Sequence, residues 1–389
     1  MKVTLFTGLL LASGFLAWKH DSKLQSIEKE YTKPAISSPS AKDNTRIQVA
    51  ILLDTSNSMD GLIDQAKSRL WNIINTLTTL KFQGKAPIIE IALYEYGNDW
   101  LSRETGFIRQ VAPLTTDLDL ISEKLFALKT NGGEEYCGAV IKKAVNSLDW
   151  GYNPADLKLI YIAGNEEFTQ GKVNYVSAAS EALSKEIYVN TIFCGSKQEG
   201  IAIKWKDGAD KGGGKYFNID SDRKVDFIET PYDSLITVYN SKINSTYFGY
   251  GRYGASKKSN QLQQDANASS ISRANSIERF VSKSKSVYKN DTWDLVELNE
   301  KDPTLLSKIS QSELPQELQG KSTSELKQIV VAKGKERDSI QKAMVVLGNK
   351  RQKYIDEKMK SSSKADDLGT AIKQSIITFA VTKGYTAEK

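Results

Sequence analysis

Three side chains stand out for the chemistry they could do together. Asp54, Ser56 and Ser58 occupy alternate positions in DTSNSM, directly after the apolar run of residues 47–53. A carboxylate and two hydroxyls on one tight loop can aim three oxygens at one point and leave coordination positions open. Hard divalent cations prefer oxygen ligands and commonly keep several waters, so Mg2+ is the expected ion, with Ca2+ and Mn2+ as alternatives. An open position on such a cation can accept a carboxylate from another protein.

The elements that must hold this loop are readable on both sides of it. Residues 47–53 are apolar apart from Gln48, as suits a strand buried on both faces. From 61 to 80 the apolar residues Leu62, Ile63, Ala66, Leu70, Ile73, Ile74 and Leu77 recur every three or four positions, which predicts an amphipathic helix. Further strands are expected at 88–96, 107–113, 157–163, 188–194 and 215–219. Helices are expected at 119–129, 136–148, 173–185, 201–211 and 235–247. The alternation predicts an α/β fold: a doubly wound, mostly parallel six-stranded sheet of Rossmann-like type, which takes ligands at the carboxyl ends of its strands.

The DxSxS loop between such a strand and such a helix resembles the von Willebrand factor type A (vWA) domain, whose metal-ion-dependent adhesion site begins with that motif. The resemblance covers residues 46–250. Segments such as IAGNEEFTQGKVNY, NTIFCG and WKDGA are similar to the exported bacterial branch of the family. It implies that Asp54, Ser56 and Ser58 hold a divalent cation. The family also uses a Thr in a Gly-Gly-Thr turn and an Asp after its fourth strand; here Glu134 and Gly164 stand in those places. Two readings follow. Glu134 restores the missing carboxylate, aided by Asn165 or Glu166 across the crevice, or the metal site is weakened and Asp54 and the serines serve as turn and helix-capping residues.

Composition narrows the classes. With 40% apolar and 26% charged residues the chain is not globally disordered. His20 is the only histidine, which removes Ser-His-Asp and Cys-His hydrolases and histidine-bound zinc. The net charge of +6 is concentrated in 255–389, where 24 Lys and Arg face 17 Asp and Glu. Those lysines alternate with acids and few aromatics, the pattern of solvated helices, so nucleic acid is not an expected partner. Lys211-Gly212-Gly213-Gly214-Lys215 lacks the order of a phosphate-binding loop and precedes a strand, so it reads as a turn. Glu134, Glu135, Glu166 and Glu167 could do acid-base work, but no nucleophile or substrate pocket accompanies them. The chain therefore reads as a non-enzyme. Trp71, Trp100, Trp150 and Trp205 are expected in core or rim packing. Cys137 and Cys194, the only cysteines, could pair as a disulfide or remain isolated buried thiols.

The domain plan is a signal peptide at 1–14, or an uncleaved anchor, then a linker at 15–45, the vWA-like domain at 46–250, a mobile connector at 251–270 and a helical region at 271–389. Lys2 and the apolar run of 3–17 fit a secretory segment too short for a confident membrane span, and no other membrane domain is expected. In the helical region Ser322 and Glu325 have capping-box spacing, followed by the stripe Leu326, Ile329, Val330, Ile340, Met344, Leu347 and Ile355. Gly334 and Gly348 leave one rod or a broken pair of helices open, and a further helix at 368–381 could pack back on it. The expected function is cation-assisted binding of a protein partner presenting an acidic residue, in the periplasm or cell envelope. The alternative is a metal-independent scaffold that assembles with itself or an envelope component through its C-terminal helices; a hydrolase is the third reading.

Overall fold

A computed structural model describes residues 45–219, 228–360 and 367–387. The expected signal segment and all but the last residue of the 15–45 linker lie outside the described residues. In chain order the strands are β1 (Arg46–Asp54), β2 (Leu80–Phe82), β3 (Ile88–Tyr96), β4 (Ile108–Thr115), β5 (Leu157–Gly164), β6 (Ile187–Cys194), β7 (Gly213–Ile219) and β8 (Tyr385–Ala387). The helices are α1 (Asp60–Leu77), α2 (Leu118–Phe126), α3 (Cys137–Ser147), α4 (Tyr175–Ser184), α5 (Lys197–Ala202), α6 (Trp205–Lys211), α7 (Asp233–Asn244), α8 (Gly251–Ile271), α9 (Arg273–Ser282), α10 (Leu295–Lys301), α11 (Thr323–Lys360) and α12 (Asp367–Thr382).

Six strands form the main sheet in the order β4-β3-β1-β5-β6-β7, parallel except for β4 at one edge. This is the doubly wound α/β sheet expected for a vWA-like chain. Alternation along β1 divides the core: Ile47, Val49 and Leu53 join the cluster beneath α1 and α2, while Ala50 and Leu52 join the cluster around α3 and α4. Because β3 lies on one side of β1 and β5 on the other, the chain reverses its winding at β1. The crevice at that switch opens where Asp54 ends the strand.

Several boundaries differ from the sequence-based expectation for identifiable reasons. Helix α1 ends at Leu77, not near Leu80, because the Thr78 and Thr79 hydroxyls donate to the carbonyls of Asn75 and Thr76 and close the last turn. Residues 80–82 then pair with β8 from the end of the chain. The helix expected over 201–211 is divided between α5 and α6 at Lys204, whose φ is +78°. The expected connector 251–270 is instead nearly all of α8. Its sequence carries no apolar stripe because its buried positions include the polar Gln261, Gln264 and Asp265. Gln264 accepts a hydrogen bond from Ser122 at 2.8 Å, and Gln261 donates to Tyr288 at 3.0 Å.

Helix α11 is one rod of 38 residues. The capping-box geometry is present, with the Ser322 hydroxyl donating to Glu325 at 2.7 Å and the Glu325 amide donating back at 3.3 Å. Its two glycines are close-approach points: a Cβ on Gly348 would stand 3.0 Å from Val281, and one on Gly334 3.3 Å from Glu300. Helix α12 packs on α1, β7 and β8, so it covers the sheet. Tyr188 stacks on Phe379 at 4.8 Å, and the Tyr161 and Ser375 hydroxyls are hydrogen bonded at 2.8 Å.

Buried ion pairs tie the C-terminal helices to the sheet domain. Arg279, 0% exposed, lies 2.7 Å from Asp119 on α2 and 3.1 Å from Asp265 on α8, with its guanidinium 4.5 Å from the Trp71 ring on α1. Arg337 stacks over Tyr247 at 3.9 Å and pairs with Asp294 at 2.6 Å; Arg351 pairs with Asp233 at 3.2 Å and with Glu278. Among the described residues no helix is long and apolar enough to cross a membrane. Truncating a buried charge strands its partners, so Arg279→Ala is expected to cost about 3–5 kcal/mol, read as a lower midpoint in urea unfolding. A cost below about 1 kcal/mol would show that Asp119 and Asp265 do not depend on it.

Candidate cation and partner-binding site

The site is assembled from four loops at the carboxyl edge of the sheet, those after β1, β3 and β5 and the one before α3. Thr55 donates its amide to the Tyr96 carbonyl at 2.9 Å, and Asn131 donates its amide to the Thr55 carbonyl at 2.9 Å. Buried Asn98 donates its side-chain amide to the Lys129 carbonyl at 2.9 Å and to the Thr55 carbonyl at 3.3 Å. The loops after β1 and β3 and the loop before α3 are thereby one hydrogen-bonded unit. Paired backbone groups at an exposed strand edge hold geometry that free loops would not.

Within that frame Asp54 is 0% exposed and accepts the Ser56 amide on Oδ1 at 2.8 Å, while its Oδ2 has no hydrogen-bond partner. The Ser56 and Ser58 hydroxyls are 3.5 Å apart. Asn165 reaches across the crevice and donates to the Ser58 hydroxyl at 3.0 Å, leaving its own Oδ1 buried and unpartnered. Asp54, Ser56, Ser58 and Asn165 are thus brought together. Glu166 is exposed at the rim, and its charge acts on both Asp54 and Glu135.

Glu134 is placed elsewhere: it is exposed and accepts a hydrogen bond from the Tyr136 hydroxyl. The carboxylate facing Asp54 is Glu135, which is 6% exposed and hydrogen bonded to Ser56. Both acids lie in GGEE, in a stretch without helical structure, and consecutive side chains there diverge; the sequence offers two adjacent acids and no signal to choose between them. Gly164 stands where it must. A Cβ there would be 2.6 Å from the Tyr96 hydroxyl and 3.0 Å from Asp54 Oδ2. Tyr96, which donates to the Ala163 carbonyl at 2.9 Å, fills the space a side chain at 164 would need. Cys137 and Cys194 are separate buried thiols belonging to the apolar clusters on opposite faces of the sheet, so the sheet stands between them and the disulfide alternative is not formed. Trp71, Trp150 and Trp205 are buried, whereas Trp100, on the loop after β3, is 68% exposed.

Electrostatics set the site apart from an ordinary turn. Burial pushes the Asp54 carboxyl up to about 8, and the charges of Glu135 and Glu166 add to that against the opposing hydrogen bonds from Ser56. Burial, then Glu166, pushes Glu135 up to about 7. Among the described residues no group of three or more His, Cys, Asp and Glu is arranged to hold a metal ion by itself. The donor set here is instead mixed, with carboxylate, hydroxyl and amide oxygens. Two unpartnered buried oxygens beside two hydroxyls fit an oxygen-preferring cation such as Mg2+, Ca2+ or Mn2+.

No family model matches the chain, and no curated protein matches it. Among solved structures it is similar to an aerotolerance-related membrane protein from Bacteroides fragilis NCTC 9343 with multiple mutations to serines, at 19% identity over 45% of this chain and 92% of that chain, TM-score 0.33. It is also similar to the SpRpn10 VWA domain, at 15% identity over 44% of this chain and 87% of that chain, TM-score 0.34. A third is the pilus adhesin SpaC from Lactobacillus rhamnosus GG in its open conformation, at 9% identity over 46% of this chain and 29% of that chain, TM-score 0.34. Likeness at this level carries neither ligand nor partner across.

Two outcomes follow from the packing and charge. Gly164→Ala is expected to lower stability by about 1–3 kcal/mol through overpacking, measured by denaturant unfolding, with part recovered when Tyr96→Phe removes the opposing oxygen. Asp54 and Glu135 hold protons in the folded chain above the values of 3.8 and 4.5 at which they would ordinarily lose them. In chelator the folded state should therefore lose stability as pH rises from about 5 to about 8. Asp54→Asn should flatten that slope in a melting series, and an equally steep fall in the variant would contradict the assignment.

Proposed function

We propose that the chain is an exported vWA-like module of the bacterial cell envelope that binds a protein partner with the help of a divalent cation, and that it is a binding protein and not an enzyme. The observation that carries this reading is the buried, unpartnered Asp54 Oδ2 at the switch point of the sheet, with Ser56 and Ser58 beside it. A bound cation, Mg2+ by default and Ca2+ or Mn2+ as alternatives, would supply a charged centre able to take a carboxylate from the partner. Asp54 provides the anchoring charge, Ser56 and Ser58 provide neutral oxygens, and Asn165 orients Ser58 from the opposite wall. Exposed Trp100 gives the rim an apolar contact of the kind that binding surfaces favour.

Export is supported by the N-terminal segment MKVTLFTGLLLASGFLA, and an envelope location is the corresponding expectation for the partner. Burial pushes both thiols up, so neither is an activated nucleophile. The scaffold alternative relies on free C-terminal helices, whereas α9 and α11 are already joined to the chain's own sheet domain by Arg279 to Asp119, Arg337 to Thr246 and Tyr247, and Arg351 to Asp233.

Calorimetric titration of Mg2+, Ca2+ and Mn2+ into the full chain and into Asp54→Ala tests the reading. Saturable binding in the parent, lost by at least about tenfold in the variant, is the expected result. Equal binding by both proteins would overturn it.

A further inference from the structure

Asp54 is one of two carboxyl groups at the end of β1, and the second was not legible as such in the sequence. Resting on the cation reading above, we infer that Glu135 is a second cation-holding carboxylate, set beside Asp54 across Gly97, so that the chain alone supplies the charge to hold a divalent cation.

The placement rests on close backbone packing. Gly97 has a φ of +77°, and the position its Cβ would take is 2.8 Å from Asp54 Oδ1 and 2.8 Å from Glu135 Cγ. Any side chain at 97 would intrude between the two carboxyl groups. The loop that carries Glu135 reaches this spot because Gly133 lies directly against Gly97: a Cβ on Gly133 would be 2.4 Å from the Gly97 carbonyl oxygen. Ser56, already bonded to Asp54 through its amide, also hydrogen bonds Glu135 and so bridges the two acids. Glu134, one residue earlier, points out to Tyr136 and takes no part.

Two buried carboxyl groups side by side repel when ionised, and a buried pair of this kind is ordinarily matched by a cation or by a shared proton. The groups acting on Asp54 and Glu135 through space are acids, Glu166 among them, and Asp54 Oδ2 is left with no hydrogen bond. A dication balances two carboxylates. The partner's acid would then complete the coordination of a centre already neutralised, contributing a ligand but no longer the needed countercharge.

The test compares the full chain with Glu135→Gln, Glu134→Gln and Asp54→Ala, with no partner present, by calorimetric titration of Mg2+, Ca2+ and Mn2+ and by melting in chelator and in saturating cation. Glu135→Gln is expected to weaken cation binding by at least about tenfold, and Glu134→Gln to leave it within about twofold. In chelator Glu135→Gln should melt at or above the parent, since the repulsion with Asp54 is gone, yet gain less on adding cation. Parent-like cation binding by Glu135→Gln together with loss in Asp54→Ala would overturn the role of Glu135 and leave the cation reading intact. A Glu135→Gln chain that melts lower in chelator but gains as much from cation as the parent would reduce Glu135 to a structural hydrogen-bond partner of Ser56. Absence of binding by the parent would overturn the cation reading and this inference with it.

Discussion

A carboxyl group buried at the end of the central strand, with one oxygen unpartnered, is the constraint around which the candidate site is arranged. Asp54 can be held there only because its surroundings are narrow and rigid. Gly97 and Gly164 lie against it on either side, Tyr96 closes the space below, and the Ser56 amide occupies one of its oxygens. The parallel pairing of β1 with both β3 and β5 brings those residues to one level, since Asp54 is in register with Tyr96 and Leu53 with Ala163. Relief of the Asp54 charge has to come from a proton, from a cation, or from a partner's group entering the crevice.

The loops that define the crevice depend on each other in the same way. Thr55 is bonded to the strand end at Tyr96 and receives the Asn131 amide, while Asn98 links the loops after β1 and β3 to the Lys129 carbonyl. A change at any one of these positions reaches the others through the shared hydrogen bonds. The close glycine contact between Gly97 and Gly133 permits the approach, and it delivers Glu135 to a position a bulkier pair of residues would have denied it.

The C-terminal helices have the opposite electrostatic character. There Asp265 and Asp294, together with Asp119 of α2 and Asp233 of α7, each meet an arginine of α9 or α11, and two of those arginines also lie over aromatic rings. Part of the basic surplus of residues 255–389 is therefore internal: Arg279, Lys283, Arg337 and Arg351 are buried. The charges that act on Asp54 are instead those of two acids, Glu135 and Glu166.

The main strands and helices were legible because a doubly buried strand and an amphipathic helix announce themselves by apolar periodicity, as β1 and α1 do. The DTSNS loop was legible from residue types and their place after a strand. Helix α8 was not, since its inward positions are Gln and Asp held by side-chain partners more than a hundred residues away in the case of Ser122, and no local pattern encodes such a partner. Nor was α11 as a single rod, because Gly334 and Gly348 weaken a helix in isolation and become contact points only when Glu300 and Val281 stand against them. By itself the sequence determined the α/β alternation, the oxygen-bearing loop and the apolar faces, all of which are set by neighbours a few residues apart. Tertiary structure alone decided that Glu135 and not Glu134 faces Asp54, that Tyr96 excludes a side chain at 164, and that the two cysteines lie apart. Each of these depends on which distant segments share a few ångströms of space, and that is fixed by packing across the sheet.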